Sequence, residues 1–128
     1  MKVVEVAAAI IQKEDKIFAT RRGYGEFKGM WEFPGGKVES GETPEEAVVR
    51  EIREELATEV LVGQCFEEID YDYPDFHLHM RCYLCTVKAG DLKLLEHSEA
   101  RWLPREDLDS VEWLAADVGV VGRLKGIV

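Results

Sequence analysis

Residues 35–60 read GGKVESGETPEEAVVREIREELATEV, and the rest of the chain is arranged around them. Two glycines close an apolar segment, a turn follows, and Thr43-Pro44-Glu45-Glu46 announces a helix. Thr43 is a favoured N-cap, and Pro44 suits the first helical position, where a missing N–H costs nothing. Glu46 stands where its carboxylate can reach back to complete a capping box, and the early acidic residues favour the positive end of the helix dipole. The pattern predicts a helix from about Pro44 to Leu56, with Val48, Ile52 and Leu56 as its apolar stripe. At about 100° per residue, Glu51 and Glu55 lie about 40° apart, with Glu54 about 60° to the other side of Glu51. Like charges so placed cost an isolated helix about 0.2–0.5 kcal/mol. A bound cation would relieve that repulsion. Hard divalent ions take oxygen ligands, and Mg²⁺ combines one or two carboxylates with substrate phosphates.

On the N-terminal side, Val3–Ile11 reads as a largely buried strand, Lys13-Glu14-Asp15 as a turn and Lys16–Thr20 as a second strand leading to Arg21 and Arg22. Gly23–Gly29 is a glycine-rich loop, and Met30–Phe33 a short aromatic strand stopped by Pro34-Gly35-Gly36. Beyond the helix, Glu59–Tyr73 is β-prone, with a break expected near Gly63, and pairs across a Pro74-Asp75 turn with Phe76–Val87. Leu92–Leu95 is expected to be a short strand, Glu96–Ser98 a loop, Arg101-Trp102-Leu103 a strand end and Pro104–Leu108 one helical turn. Asp117–Lys125 closes the chain as a helix, despite Gly119 and Gly122. The alternation predicts one α/β domain over residues 1–128, with a mixed sheet between helices.

The chain has 128 residues, 33% charged and 46% hydrophobic, enough for one soluble domain with a real core. A net charge of −10 argues against a nucleic-acid polymer as partner, since polymer binders carry a basic footprint. It leaves room for a nucleotide arriving with metal. No apolar run approaches the length of a membrane span, and the first residues lack the apolar core of a signal peptide. Cys65, Cys82 and Cys85 are an odd set that suits reduced thiols and a cytoplasmic setting.

Gly36, Glu42 and Arg50-Glu51-Ile52-Arg53-Glu54-Glu55 stand at the offsets of the pattern G-x5-E-x7-R-E-U-x-E-E-x-G-U, with U a bulky apolar residue. The chain thus resembles the Nudix hydrolases, and the resemblance implies an α/β/α sandwich. Two positions depart: Ala57 stands in place of Gly and Thr58 in place of an apolar residue. Gly would leave the helix through a left-handed turn, so Ala57 predicts a different exit.

The resemblance implies Mg²⁺ as cofactor, with Mn²⁺ as a substitute. Glu54 and Glu55 are then the main ligands, and the Gly35 carbonyl is a further one. Glu51 is a ligand or the residue that orients or deprotonates the attacking water. Glu42 is an auxiliary carboxylate, and Arg50 orients a glutamate through charge-assisted hydrogen bonds. Glu96, in the loop before Trp102, is a candidate ligand or base. Arg22 and Lys37 are candidate phosphate contacts, since Arg forks onto phosphate oxygens. Phe33 is a base-stacking or core aromatic. Asp117 is either the N-cap of the last helix or, by likeness to MutT-like members, a reader of the base. An ionised Asp would accept from the N–H edge of guanine or the amine of cytosine.

Cys82-Tyr83-Leu84-Cys85 on a strand points its thiols to opposite faces, which argues against zinc or redox work. His77 and His79 share a face and read as a solvated or substrate-facing pair, with a soft-metal site as the alternative, and Trp102 and Trp113 as packing residues, with Trp113 alternatively bordering the base. Phe76, after Tyr73-Pro74-Asp75, stands where guanine-directed relatives can carry a basic residue. The segments 31–39 and 99–102 resemble the MutT branch, which clears oxidised nucleotides such as 8-oxo-dGTP and so serves DNA repair. They equally resemble pyrophosphohydrolases of CTP and 5-substituted dCTP. Hydrolysis of nucleoside diphosphate sugars and a non-catalytic nucleotide-binding module are the further alternatives. The expected partner is a small nucleotide, with no nucleic-acid polymer or membrane, and the protein a monomer or homodimer.

Overall fold

Strand Lys2–Lys13 (β1) is the axis of the sheet, and its pattern explains the two-sided core. Ala7, Ala9 and Ile11 point to one face, and Ala8 and Ile10 to the other, all buried. A strand apolar on both faces has to be covered twice. The computed structural model, which describes residues 2–126, supplies both covers. Helix Pro44–Leu56 (α1) lays Val48, Ile52 and Leu56 on the first face, with Tyr83 and Cys85. Helix Ala115–Lys125 (α2) lays Val120, Val121 and Leu124 on the second, with Cys82 and Met80. The result is an α/β/α sandwich.

Strands Lys16–Arg21 (β2), Trp31–Glu32 (β3), Gly35–Lys37 (β4), Glu59–Tyr73 (β5), Phe76–Ala89 (β6) and Glu99–Pro104 (β7) complete a mixed sheet ordered β3-β2-β1-β6-β5. The β1–β6 pair is parallel, with Ala8 opposite Cys82, whereas β4 pairs antiparallel with β1 and β7 with β2. Arg105–Ser110 forms a 3₁₀ helix that buries Leu108.

Helix α1 begins as its sequence dictates. The Thr43 hydroxyl accepts from the Glu46 N–H, and the Glu46 carboxylate accepts from the Thr43 N–H at 2.8 Å. Its other end departs from expectation: Ala57 takes the left-handed exit itself, at φ 50° and ψ 40°. Thr58 is buried, its hydroxyl donating to the Leu56 carbonyl and accepting from the Leu92 N–H, both at 2.9 Å. Residues 92–95 are not a strand. The Lys93 and Leu95 N–H groups donate to the Leu56 and Glu55 carbonyls, at 2.9 and 3.1 Å. They satisfy helix-end acceptors that would otherwise be orphaned, so those groups are not free for a sheet.

Three further differences concern boundaries. Gly35 and Gly36 do not merely stop a strand; with Lys37 they form β4 against β1. A Cβ on Gly35 would lie 2.3 Å from the Ala7 carbonyl oxygen, so only glycine permits that approach. Strand β5 runs through Gly63 unbroken, and only its register shifts, between Val62 and Glu67. Helix α2 starts at Ala115 with Leu114 at the N-cap position, which removes Asp117 from any capping role.

Candidate active site

Strand β4 runs directly beneath α1. A Cβ on Gly36 would lie 2.5 Å from the Glu51 carboxyl carbon, so the second glycine leaves the space that this carboxylate occupies. Arg50 lies at the centre of the helix's acidic surface. Its guanidinium donates to Glu42 at 2.7 and 3.0 Å, to Glu51 at 2.7 Å, to Glu54 at 3.2 Å and to the Lys37 carbonyl at 2.9 Å. These bonds hold Glu42 below the usual carboxylate range and raise Arg50 above its already high value. Arg50 therefore orients three carboxylates at once.

Glu55 lies on the inner side of the helix, 7% exposed, and its Oε2 is buried without a hydrogen-bond partner. Burial, reinforced by Glu51, Glu32 and Glu96, pushes its carboxyl up to about 10. Glu54 points outward and is more than half exposed. The three glutamates are thus neighbours that do not converge on one point. Among the described residues, no three acidic, His or Cys side chains form a ready-made ligand cluster. The donor set still fits a hard divalent cation: all-oxygen, anionic, with one buried oxygen unsatisfied and neighbours that repel it.

Glu51 and Glu55 line a cavity of about 200 Å³ together with Arg22, Tyr24, Glu32 and Glu96. The Tyr24 hydroxyl donates to Glu96 Oε1 at 3.0 Å, which holds that carboxylate at the cavity rim. Arg22 donates to Glu32 at 3.1 and 3.3 Å. Across Arg22, Glu32 and Gly35 lies a second cavity of about 450 Å³. It is walled by Phe27, Phe33, Phe76, Met80 and Leu114, with Asp117 in the lining. Phe33 is 4% exposed and packs on Trp113 with centroids 4.7 Å apart, so it serves the core and the cavity together. Tyr73 joins Phe27, at 5.7 Å, to Phe76, at 5.0 Å. Lys37 is exposed at the edge of the same cavity.

Asp117 is 4% exposed, and its Oδ1 is buried without a partner. Burial, with Glu32 adding to it, raises its carboxyl well above the usual range against the opposing effects of Arg22 and the Phe33 N–H. Burial thus favours the protonated form of Asp117, which donates as well as accepts, over the ionised, accept-only carboxylate expected from the sequence.

The sequence reading omitted Glu32, Tyr24 and His97. Glu32 carried a signal, as the one charged residue between two aromatics on a short strand. Tyr24 and His97 lie in loops whose composition gives no indication of where they fold. His77 and His79 are tied to Asp70, Asp72, Glu5 and Glu68 and line neither cavity. Cys82 and Cys85 are buried on opposite faces of the sheet, as the C-x-x-C spacing on a strand implies. Among the described residues, no helix is long and apolar enough to cross a membrane.

The model of the NUDIX domain matches residues 1–121. The chain is 35% identical over 127 residues to an 8-oxo-dGTP diphosphatase of Escherichia coli (strain K12), covering 98% of each. It is also 35% identical over 119 residues to a CTP pyrophosphohydrolase of the same strain, covering 92% of this chain and 88% of that one. The solution structure of the E. coli ORF135 protein superposes with a TM-score of 0.82 at 34% identity, over 95% of this chain and 88% of that one.

Proposed function

This chain belongs to the Nudix family of hydrolases, and from that premise we propose that it splits a nucleoside triphosphate, oxidised purine nucleotides such as 8-oxo-dGTP foremost, into nucleoside monophosphate and pyrophosphate. The observation that carries the reading is the adjacency of the two cavities. One is lined by carboxylates, the other by aromatics and one buried acid, and Arg22, Glu32 and Gly35 form the wall between them. A nucleoside seated in the second cavity extends its phosphates into the first.

Glu55, Glu51, Glu54, Glu96 and the Gly35 carbonyl would hold the divalent ion, Mg²⁺ with Mn²⁺ as substitute. When bound, that ion neutralises charge on the phosphate oxygens and makes a nearby water more acidic. The chain's own residues do the rest. Arg22 and Lys37 grip phosphate oxygens, and Arg50 keeps Glu51 and Glu54 at fixed positions. Glu51 or Glu96 takes the proton from the water that attacks an internal phosphorus. Phe33 offers a ring face to the base. Neutral Asp117 both donates to and accepts from the base edge, matching the paired carbonyl and N–H of guanine. Three free thiols suit a reducing, cytoplasmic nucleotide pool.

A second reading, a cytidine triphosphate substrate, is favoured by Phe76, an apolar residue of the cavity where a charged contact to a purine could stand. A neutral acid also matches the amine and ring nitrogen of cytosine. Relative kcat/KM for 8-oxo-dGTP, dCTP, 5-methyl-dCTP and an ADP-sugar, each with and without Mg²⁺, separates these readings. The expected result is metal-dependent pyrophosphate release, fastest with 8-oxo-dGTP. Release fastest with a cytidine nucleotide selects the second reading, and no release from any of the four overturns the enzymatic one.

A further inference from the structure

His97 is buried between the metal-side carboxylates without being one of them. Its side chain is 5% exposed. Its Nε2 lies 3.2 Å from Glu32 Oε2 and 3.5 Å from Glu55 Oε1, while its Nδ1 is buried with no hydrogen-bond partner. Every polar neighbour lies on the Nε2 side, so an Nε2–H donates to Glu32 and faces Glu55 at ion-pair distance. The backbone holds the ring in place from both sides. The Leu95 N–H donates to the Glu55 carbonyl at 3.1 Å, and the Ser98 N–H to the Arg21 carbonyl at 3.0 Å. On the third side the loop lies against Gly23, where a Cβ would come within 3.0 Å of the Glu96 carbonyl oxygen. Glu32, the acceptor, is itself held by Arg22 at 3.1 Å.

The geometry points to His97 as a positioning residue that ties Glu55 to the Arg22–Glu32 pair, so that the groups gripping metal and those gripping phosphate are held as one unit. The inference rests on the assignment of Glu55 as a metal ligand. Without the ring, nothing links Glu55 to Glu32, and Glu55 is free to turn away from the carboxylate that Arg22 holds. Partners that orient a ligating carboxylate are worth about 10–100-fold in metal affinity.

The asymmetry of the ring supplies the test, because the amide nitrogen of Gln reaches about as far as Nε2 and that of Asn only as far as Nδ1. Mn²⁺ binding without nucleotide, followed by electron paramagnetic resonance, is compared for wild type, His97→Gln, His97→Asn and Glu55→Gln. His97→Gln is expected to stay within about 3-fold of wild type and His97→Asn to weaken about 10–100-fold. In the His97→Asn background, Arg22→Ala should raise KM by less than it does in wild type. Equal weakening by Gln and Asn, or none by either, overturns the inference. Glu55→Gln binding Mn²⁺ as wild type does would overturn the ligand assignment beneath it. Should His97→Asn fail to fold, ring ¹⁵N shifts of wild-type His97 decide: an Nε2–H tautomer supports the arrangement, and an Nδ1–H tautomer overturns it.

Discussion

The two cavities share a wall but are assembled differently. The acidic one takes Glu51 and Glu55 from successive turns of one helix, at a spacing that the α-helical repeat fixes. The apolar one gathers Val6 from β1, Phe33 from the turn after β3, Phe76 and Met80 from β6, and Asp117 from α2, so no short spacing encodes it. On the proposed reading, the first carries charge and moves protons, and the second, with its rings and one buried acid, measures the base. Damage to the first should therefore change rate and leave preference alone, and damage to the second should do the reverse.

The largest expected effect is on the acidic side. Glu54→Gln and Glu55→Gln should each lower kcat for pyrophosphate release by roughly 10²–10³-fold, the range for losing one charge-stabilising group of a preorganised site. The order of preference among base analogues should stay as it was. A change of preference with Glu55→Gln would show that the two cavities do not divide the work.

Asp117 gives the reciprocal test. Because it is not a helix cap, Asp117→Ala should act on the base rather than on the helix end. Relative kcat/KM between the best and second-best base should fall roughly 10-fold, as befits a lost buried hydrogen bond worth about 1–3 kcal/mol. The same residue predicts a pH dependence of stability. Its folded pKa is raised, so the folded chain holds this proton more tightly than the unfolded chain does. Its contribution is intact below the usual carboxylate range and is lost as pH climbs through the raised value. Asp117→Asn, which keeps the shape without the proton equilibrium, should gain more thermal stability over wild type at pH 8 than at pH 5. An equal gain at both would place an ionised carboxylate in the cavity.

The same contrast explains what could be read beforehand. The bounds of α1, the strands around it and the glutamates at 51, 54 and 55 follow from capping, periodicity and fixed offsets, all of which act over a few residues. Glu32, Tyr24 and His97 reach the site only through β3 and through loops that depend on distant contacts, such as Ser98 on Arg21. Residues 92–95 mislead for a related reason. Three leucines in four residues suit a short strand, yet their backbone is taken up by the carbonyls of α1.

The smallest predicted effect concerns the scaffold beneath the acidic cavity. Ala57 holds φ 50° at an exposed position, two residues past Glu55. A Cβ in the left-handed region costs about 1–2 kcal/mol. Glycine removes that cost but gives the unfolded chain more freedom, worth about 0.4–1 kcal/mol in the opposite direction. Ala57→Gly should therefore stabilise the protein by about 0.5–1 kcal/mol, a rise in Tm of roughly 2–6 °C for a chain of this size. Its side chain is exposed, and the Ala57 N–H to Arg53 carbonyl bond of 3.0 Å survives the change. Both kcat and base preference should stay at wild-type values. If kcat falls while Tm rises, the strained exit itself sets the angle at which the last turn of α1 presents Glu54 and Glu55. The acidic cavity would then depend on its backbone as the apolar one depends on its walls.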